Sequence, residues 1–199
     1  MENSLPSNDL IGDSIKAWNS EDIYEKPEEV LVSMFSNKIN SDFANVFTKV
    51  SILNSVYSTN LYNKDVLAVA NWIVANHVKF DSKEKKGDPS AVWDLANNGT
   101  TGIIFSFATK FCSFSNPKEY PIYDSKVENL LWKYKKMGIF DRVIERSDLY
   151  HGYRYEIKNN DLRENRYVVF KELIDELFMY CNLSDGFESI SWTYFSRDC

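Results

Sequence analysis

The chain has 199 residues and carries 29 Asp and Glu against 23 Lys and Arg, a net charge of −6. That length suits one compact domain or two small lobes, and the acidity excludes a protein that grips nucleic acid through a globally basic surface. With 44% hydrophobic and 26% charged residues, the composition is that of a folded protein and not of a disordered tail.

Apolar spacing is helical almost everywhere and no period-2 run stands out, which predicts an all-α fold. After an irregular N-terminal stretch, a first helix is expected to open at Pro27, where Glu28 and Glu29 meet the positive dipole end and Val30, Leu31, Met34 and Phe35 face inward. A second should start near Ser41, bury Phe43, Val46, Phe47, Val50 and Leu53, and run into the polar stretch 55–60. A third, from near Asn63, carries Val66, Leu67, Ala70, Ile73 and Val74 on one face and is expected to end before the lysine-rich segment 79–87, read as a solvated loop. Asp88-Pro89 is a cap followed by a first-turn proline, opening a short helix that stops at Asn97-Asn98-Gly99. The next helix, capped by Thr100 or Thr101, has Ile103, Ile104, Phe107, Ala108 and Phe111 on its apolar face. A loop with Asn116, Pro117 and Pro121 leads to a helix that opens at Asp124-Ser125, buries Val127, Leu130, Leu131 and Tyr134, and stops at Gly138. A long helix from about Asp161 to Asn182 buries Phe170, Leu173, Ile174, Leu177 and Phe178, and a short piece around Ile190 and Trp192 closes the chain.

No apolar run approaches the roughly 18–20 residues of a membrane helix, and the N-terminus lacks a basic-then-apolar leader, so a cytoplasmic protein is expected. Cys112, Cys181 and Cys199 are odd in number and far apart, which argues against a disulfide framework or a four-thiolate cluster. His77 and His151 are too few for a histidine metal site; His77 reads as a core or boundary residue.

The segment Tyr120-Pro121-Ile122-Tyr123-Asp124-Ser125-Lys126-Val127-Glu128-Asn129-Leu130-Leu131 resembles F-P-I-L-D-x-x-V-x-x-V-L of the helix-hairpin-helix (HhH-GPD) DNA glycosylases, most closely the adenine-excising mismatch enzymes. Leu53-Asn54-Ser55-Val56-Tyr57-Ser58-Thr59-Asn60 is similar to the family's L-L-S-x-Q-x-T-D turn at the rim of the base pocket. Asn97-Asn98-Gly99-Thr100-Thr101-Gly102 joins two helices where the family has its hairpin. The resemblance implies a two-lobed all-α glycosylase fold, with residues 41–138 as the six-helix lobe and residues 1–40 plus 139–199 as the second. It implies Asp124 as the catalytic carboxylate, Tyr57, Ser58, Thr59, Asn60 and Tyr123 as base-pocket or intercalating residues, and Gly99, Thr100, Thr101, Gly102 and Lys126 as phosphate contacts. The chain departs from the pattern in five ways. It lacks the full L-P-G-x-G hairpin and a hairpin lysine, Lys110 lying in the middle of the next helix. Tyr57 replaces the pocket glutamine, the four-cysteine iron–sulfur loop is absent, and residues 112–119 lengthen the link to Asp124.

Cleaving an N-glycosidic bond builds positive charge on the sugar, which a carboxylate beside the anomeric carbon stabilises while orienting the attacking water. The same residues admit plainer readings. Asp124 can be only an N-cap, or Ser125 and Glu128 a capping box. Residues 57–60 can be a polar helix end, and 97–102 an ordinary helix stop and start. Lys126, Lys133, Lys135, Lys136, Arg142 and Arg146 can grip phosphates or merely solvate a helix face. The acidity itself is local: residues 1–40 hold 8 acids and 3 bases, whereas 64–146 hold 13 bases and 10 acids. The resulting expectation is a monomeric, monofunctional glycosylase needing no cofactor or metal and acting on duplex DNA with a damaged, mismatched or modified base. The alternative is a non-catalytic DNA-binding or protein-interaction module on the same fold.

Overall fold

A computed structural model describes residues 22–98, 100, 102–149 and 160–181; the readings made on His151, Ile190, Trp192 and Cys199 lie outside them. Among the described residues the regular structure is helical, without a strand, so the chain is all-α. The helices are α1 (Asp22–Ser36), α2 (Phe43–Tyr57), α3 (Asn63–Lys85), α4 (Ser90–Ala96), α5 (Phe105–Ser115), α6 (Ser125–Lys136), α7 (Arg146–Leu149) and α8 (Asn160–Tyr180). The chain divides into two compact units. Asp22–Ile122 holds α1 to α5, and Tyr123 with the described residues after it belongs to the other.

Local chemistry sets most helix ends. The Asp42 carboxylate accepts the Asn45 N–H at 2.8 Å and caps α2. Asp124 caps α6, and Gly138, at φ +79°, ends it in the left-handed region that favours glycine. Asp88 accepts the Ser90 N–H at 3.0 Å just ahead of α4, but the N-cap position falls on Pro89, one residue later than the sequence suggests.

Other expectations are corrected. Helix α1 begins at Asp22, so Pro27 lies inside it instead of opening it. Lacking an N–H, Pro27 leaves the Ile23 carbonyl without its helical donor, a loss of one bond that the helix survives near its N-terminus. Helix α3 runs through the lysine-rich segment to Lys85, because Phe80 and Glu84 prolong the buried stripe of Val66, Ala70 and Ile73 while the lysines take the other faces. Phe43 and Phe47 are 40% and 38% exposed and stack on each other at 5.6 Å, because the buried face of α2 is Val46, Lys49, Val50 and Leu53. Leu67 is likewise exposed. Thr100 does not cap α5: its hydroxyl donates to Gly102 O at 2.7 Å, and the helix starts at Phe105 without a side-chain cap.

Within Asp22–Ile122, α1 packs on α2 and α5, α2 on α3 and α5, and α4 on α3 and α5. Phe111 of α5 is completely buried at their meeting point, with Phe35 edge-on at 5.0 Å and Phe80 and Phe107 each at 6.1 Å. Each such ring stabilises the fold by about 2–3 kcal/mol through burial. The end of α3 is closed by side chains from further along the chain. Asn116 donates to Glu84 O at 3.0 Å, and the Tyr120 hydroxyl reaches Lys83 O and Asp88 O at 3.2 and 3.0 Å. Gly87 follows at φ +69°, with the Glu119 side chain occupying the place where a Cβ would stand.

In the other unit, α6 and α7 pack on α8. Val127, Leu130, Leu131 and Tyr134 of α6 are buried as predicted, as are Phe170, Leu173, Ile174 and Leu177 of α8.

Candidate functional site

Asp124 sits at the N-terminus of α6 with extended backbone (φ −138°, ψ 144°) and a half-buried side chain. Its Oδ1 accepts the Lys126 N–H at 2.7 Å and its carbonyl accepts the Glu128 N–H at 2.9 Å, which fixes the carboxylate at the positive end of the helix. Among the described residues Oδ2 has no hydrogen-bond partner. Directly beneath, Glu128 is 1% exposed. The Tyr123 hydroxyl donates to Glu128 Oε2, and Arg146 Nη2 stands 2.7 Å from Glu128 Oε1. Arg146 also donates to Asn129 Oδ1 at 2.5 Å and lies over the Trp132 ring. Tyr123 is buried, edge-on to Phe170 at 5.3 Å. The structure therefore places Tyr123 in the packing of this unit, as a support for the α6 N-terminus.

The basic segment divides in two. Arg142 is paired with Glu172 and Arg146 with Glu128, so neither guanidinium projects as a plain phosphate grip. Lys126, Lys133 and Lys136 are exposed on α6. Their spacing of seven and three puts them along one side of the helix, starting at the end that presents Asp124.

The turn after α2 lies in the Asp22–Ile122 unit. Tyr57 donates its hydroxyl to Glu28 Oε1 at 2.5 Å, packs against Phe114 at 5.8 Å and has Lys110 Nζ over its ring at 5.6 Å. Ser58 and Asn60 are exposed and take φ of +48° and +61°, a conformation that costs a serine about 1–2 kcal/mol and an asparagine less. Asn54 holds the turn closed. Its Oδ1 accepts from the Leu61 N–H at 3.0 Å and the Thr59 hydroxyl at 2.7 Å, and its Nδ2 donates to Leu61 O at 3.1 Å. Neither Glu28 nor Asn54 stands out in the sequence, since the first reads as a dipole charge and the second as one polar residue among several.

Of the hairpin residues, Gly99 and Thr101 lie outside the described residues. The Thr100 N–H is directed at Asn98 Oδ1 at 3.1 Å. Gly102 is exposed, with open space where a Cβ would stand. Ile104 N–H ties the start of α5 back to Ala96 O at 3.1 Å. Lys110 is 4% exposed and donates to Ser106 Oγ at 2.8 Å. Cys112 and Cys181 are free and buried, and burial pushes both thiols up. Among the described residues no three His, Cys, Asp or Glu side chains are grouped to hold a metal, and no helix is long and apolar enough to cross a membrane.

The fold thus defines an all-α chain whose candidate groups are a capped carboxylate on α6 and a strained turn after α2. The chain belongs to the HI_0787_N family, whose N-terminal domain model matches residues 10–119. An uncharacterized protein of Haemophilus influenzae is 37% identical over 111 residues, which cover 52% of this chain and 51% of that protein, so the chain spans about half the length of the curated relative it matches. No solved structure matches it. The family match takes in the 57–60 turn and Lys110 and ends before Asp124.

Proposed function

We propose that the protein is a monofunctional DNA glycosylase that flips a damaged, mismatched or modified base out of a duplex and hydrolyses its N-glycosidic bond with Asp124. The observation that carries this reading is the mounting of Asp124. One oxygen is fixed by the Lys126 N–H and the other is left to face a reacting group. The buried Glu128–Arg146 pair and Tyr123 hold the helix end rigid under it. In this mechanism the carboxylate stabilises the oxocarbenium-like sugar and orients the attacking water, and the base leaves after eversion from the stack. The lysine row at 126, 133 and 136 supplies phosphate contacts that salt should weaken. The partner is duplex DNA, and the protein acts as a cytoplasmic monomer without cofactor or metal.

A second reading, a non-catalytic DNA-binding or protein-interaction module, is favoured by two observations. The hydroxyls of Tyr57 and Tyr123 are bonded to Glu28 and Glu128, and the family match ends before Asp124. One experiment separates the two readings. Duplexes carrying uracil, mismatched adenine, alkylated bases or phage-type modified bases are incubated with the protein and then treated with alkali. The enzyme reading expects alkali-labile sites on at least one substrate. Salt-sensitive binding without strand scission anywhere in the panel would replace it with the module, and no binding at low salt would overturn both.

A further inference from the structure

The last turns of α3 hold a carboxyl group for which the surrounding helices make poor provision. Glu84 is 8% exposed, and among the described residues its Oε1 has no hydrogen-bond partner. Lys49 of α2, the buried cation that attracts it, is bonded elsewhere: its Nζ donates to Asn37 O at 2.5 Å and to Asn40 Oδ1 at 3.4 Å. Asn40 in turn donates to Asp81 Oδ1 at 2.8 Å, which keeps a second acid close to Glu84 on α3 itself. The groups facing Glu84 are Lys49 from α2, Lys38 from the α1–α2 link, Asp81 from α3, Ser115 and Cys112 from α5, and Tyr120 from the segment after α5.

We propose that Glu84 is a proton-operated latch between the C-terminal end of α3 and α5. Protonated, the carboxyl packs as a neutral group beside Ser115 and Cys112. Ionised, it is a buried charge with an unbonded oxygen, and water reaches it by lifting the last turn of α3 from Asn116 and Tyr120, the side chains that close that helix end. Helix α5 also carries Lys110 beneath the Tyr57 ring, so release of this end loosens a support of the strained turn. The inference does not depend on the proposed glycosylase activity.

Burial pushes the Glu84 carboxyl up to about 7 from an ordinary value of 4.5; Asp81 adds to the rise, while the Ser115 hydrogen bond, Lys49 and Lys38 oppose it. Between those values the folded chain binds more protons than the unfolded one, so stability is fully present below the lower value and declines as pH rises to the upper one, with no further change beyond it. At tenfold per pH unit, the folding equilibrium shifts by up to roughly two orders of magnitude across the window.

The test uses the full chain labelled with 13C at glutamate carboxyls, followed by NMR through neutral pH, with amide exchange of residues 81–86 compared at about pH 6 and about pH 8 after correction for intrinsic rates. One carboxyl should titrate near neutrality and vanish in Glu84→Gln, and opening of residues 81–86 should rise with pH in the wild type and stay flat in that variant. Asp81→Asn should lower the midpoint. The latch is overturned if no glutamate titrates above about pH 6, or if Glu84→Gln opens with the wild-type pH profile. Should Glu84→Gln fail to fold, the wild-type titration and the Asp81→Asn shift decide between the same outcomes.

Discussion

The Tyr57 hydroxyl donates to Glu28 Oε1 at 2.5 Å and joins the end of α2 to α1 across 29 residues of sequence. A hydrogen bond to a carboxylate contributes about 1.5–3 kcal/mol when shielded, and less here because the pair is only part-buried. Tyr57→Phe should therefore lower the urea midpoint by an amount corresponding to about 1–2 kcal/mol. If the hydroxyl instead serves a base, the variant would keep its stability and lose kcat/KM.

The turn that follows stores strain at Ser58 and Asn60. Ser58→Gly removes the side chain that disfavours φ +48° and should stabilise the protein by about 0.5–1 kcal/mol. Asn54→Ala removes three hydrogen bonds from the same turn and should cost about 2–3 kcal/mol. Denaturant titrations of both variants check the pair of signs; a destabilised Ser58→Gly would show that the left-handed turn is not retained in solution.

Arg146 neutralises a carboxylate that is almost fully buried. Arg146→Met should cost about 3 kcal/mol by removing the cation that stands against the buried Glu128 charge, with part of the loss recovered when Glu128→Gln is added. Additive single-variant effects in a double-mutant cycle would contradict the pairing.

Lys49 is buried, and desolvation lowers its affinity for a proton, while its positive charge holds the Glu84 carboxyl down. Lys49→Met should thus move the Glu84 titration to higher pH and extend the range over which stability declines. Carboxyl NMR reads this directly, and a downward shift would contradict the assigned neighbourhood.

What was legible in the sequence follows from how local each signal is. Asp124 and Gly138 bound α6 because a cap and a left-handed stop are decided within a few residues, and the buried face of Val127, Leu130, Leu131 and Tyr134 repeats at helical spacing. The lysine-rich end of α3 was misleading because composition there reflects the solvent side, whereas Phe80 and Glu84 on the other side continue the helix. Helix α1 extended past Pro27 because one absent N–H does not outweigh the bonds on either side of it. The partners of the candidate site were out of reach for a different reason. Glu28 meets Tyr57, and Arg146 meets Glu128, only after helices distant in sequence pack together. Asp124 was legible as the cap of α6 because a cap is decided within its own contiguous segment.

Asp124→Asn separates chemistry at Asp124 from its capping of α6, because Asn caps a helix as well as Asp does. Single-turnover base excision on the substrate cleaved by the wild type, measured beside thermal melting, is the decisive comparison. The variant should keep the wild-type melting temperature while excision falls by at least roughly a hundredfold; excision at the wild-type rate in Asp124→Asn would show that Asp124 only caps its helix.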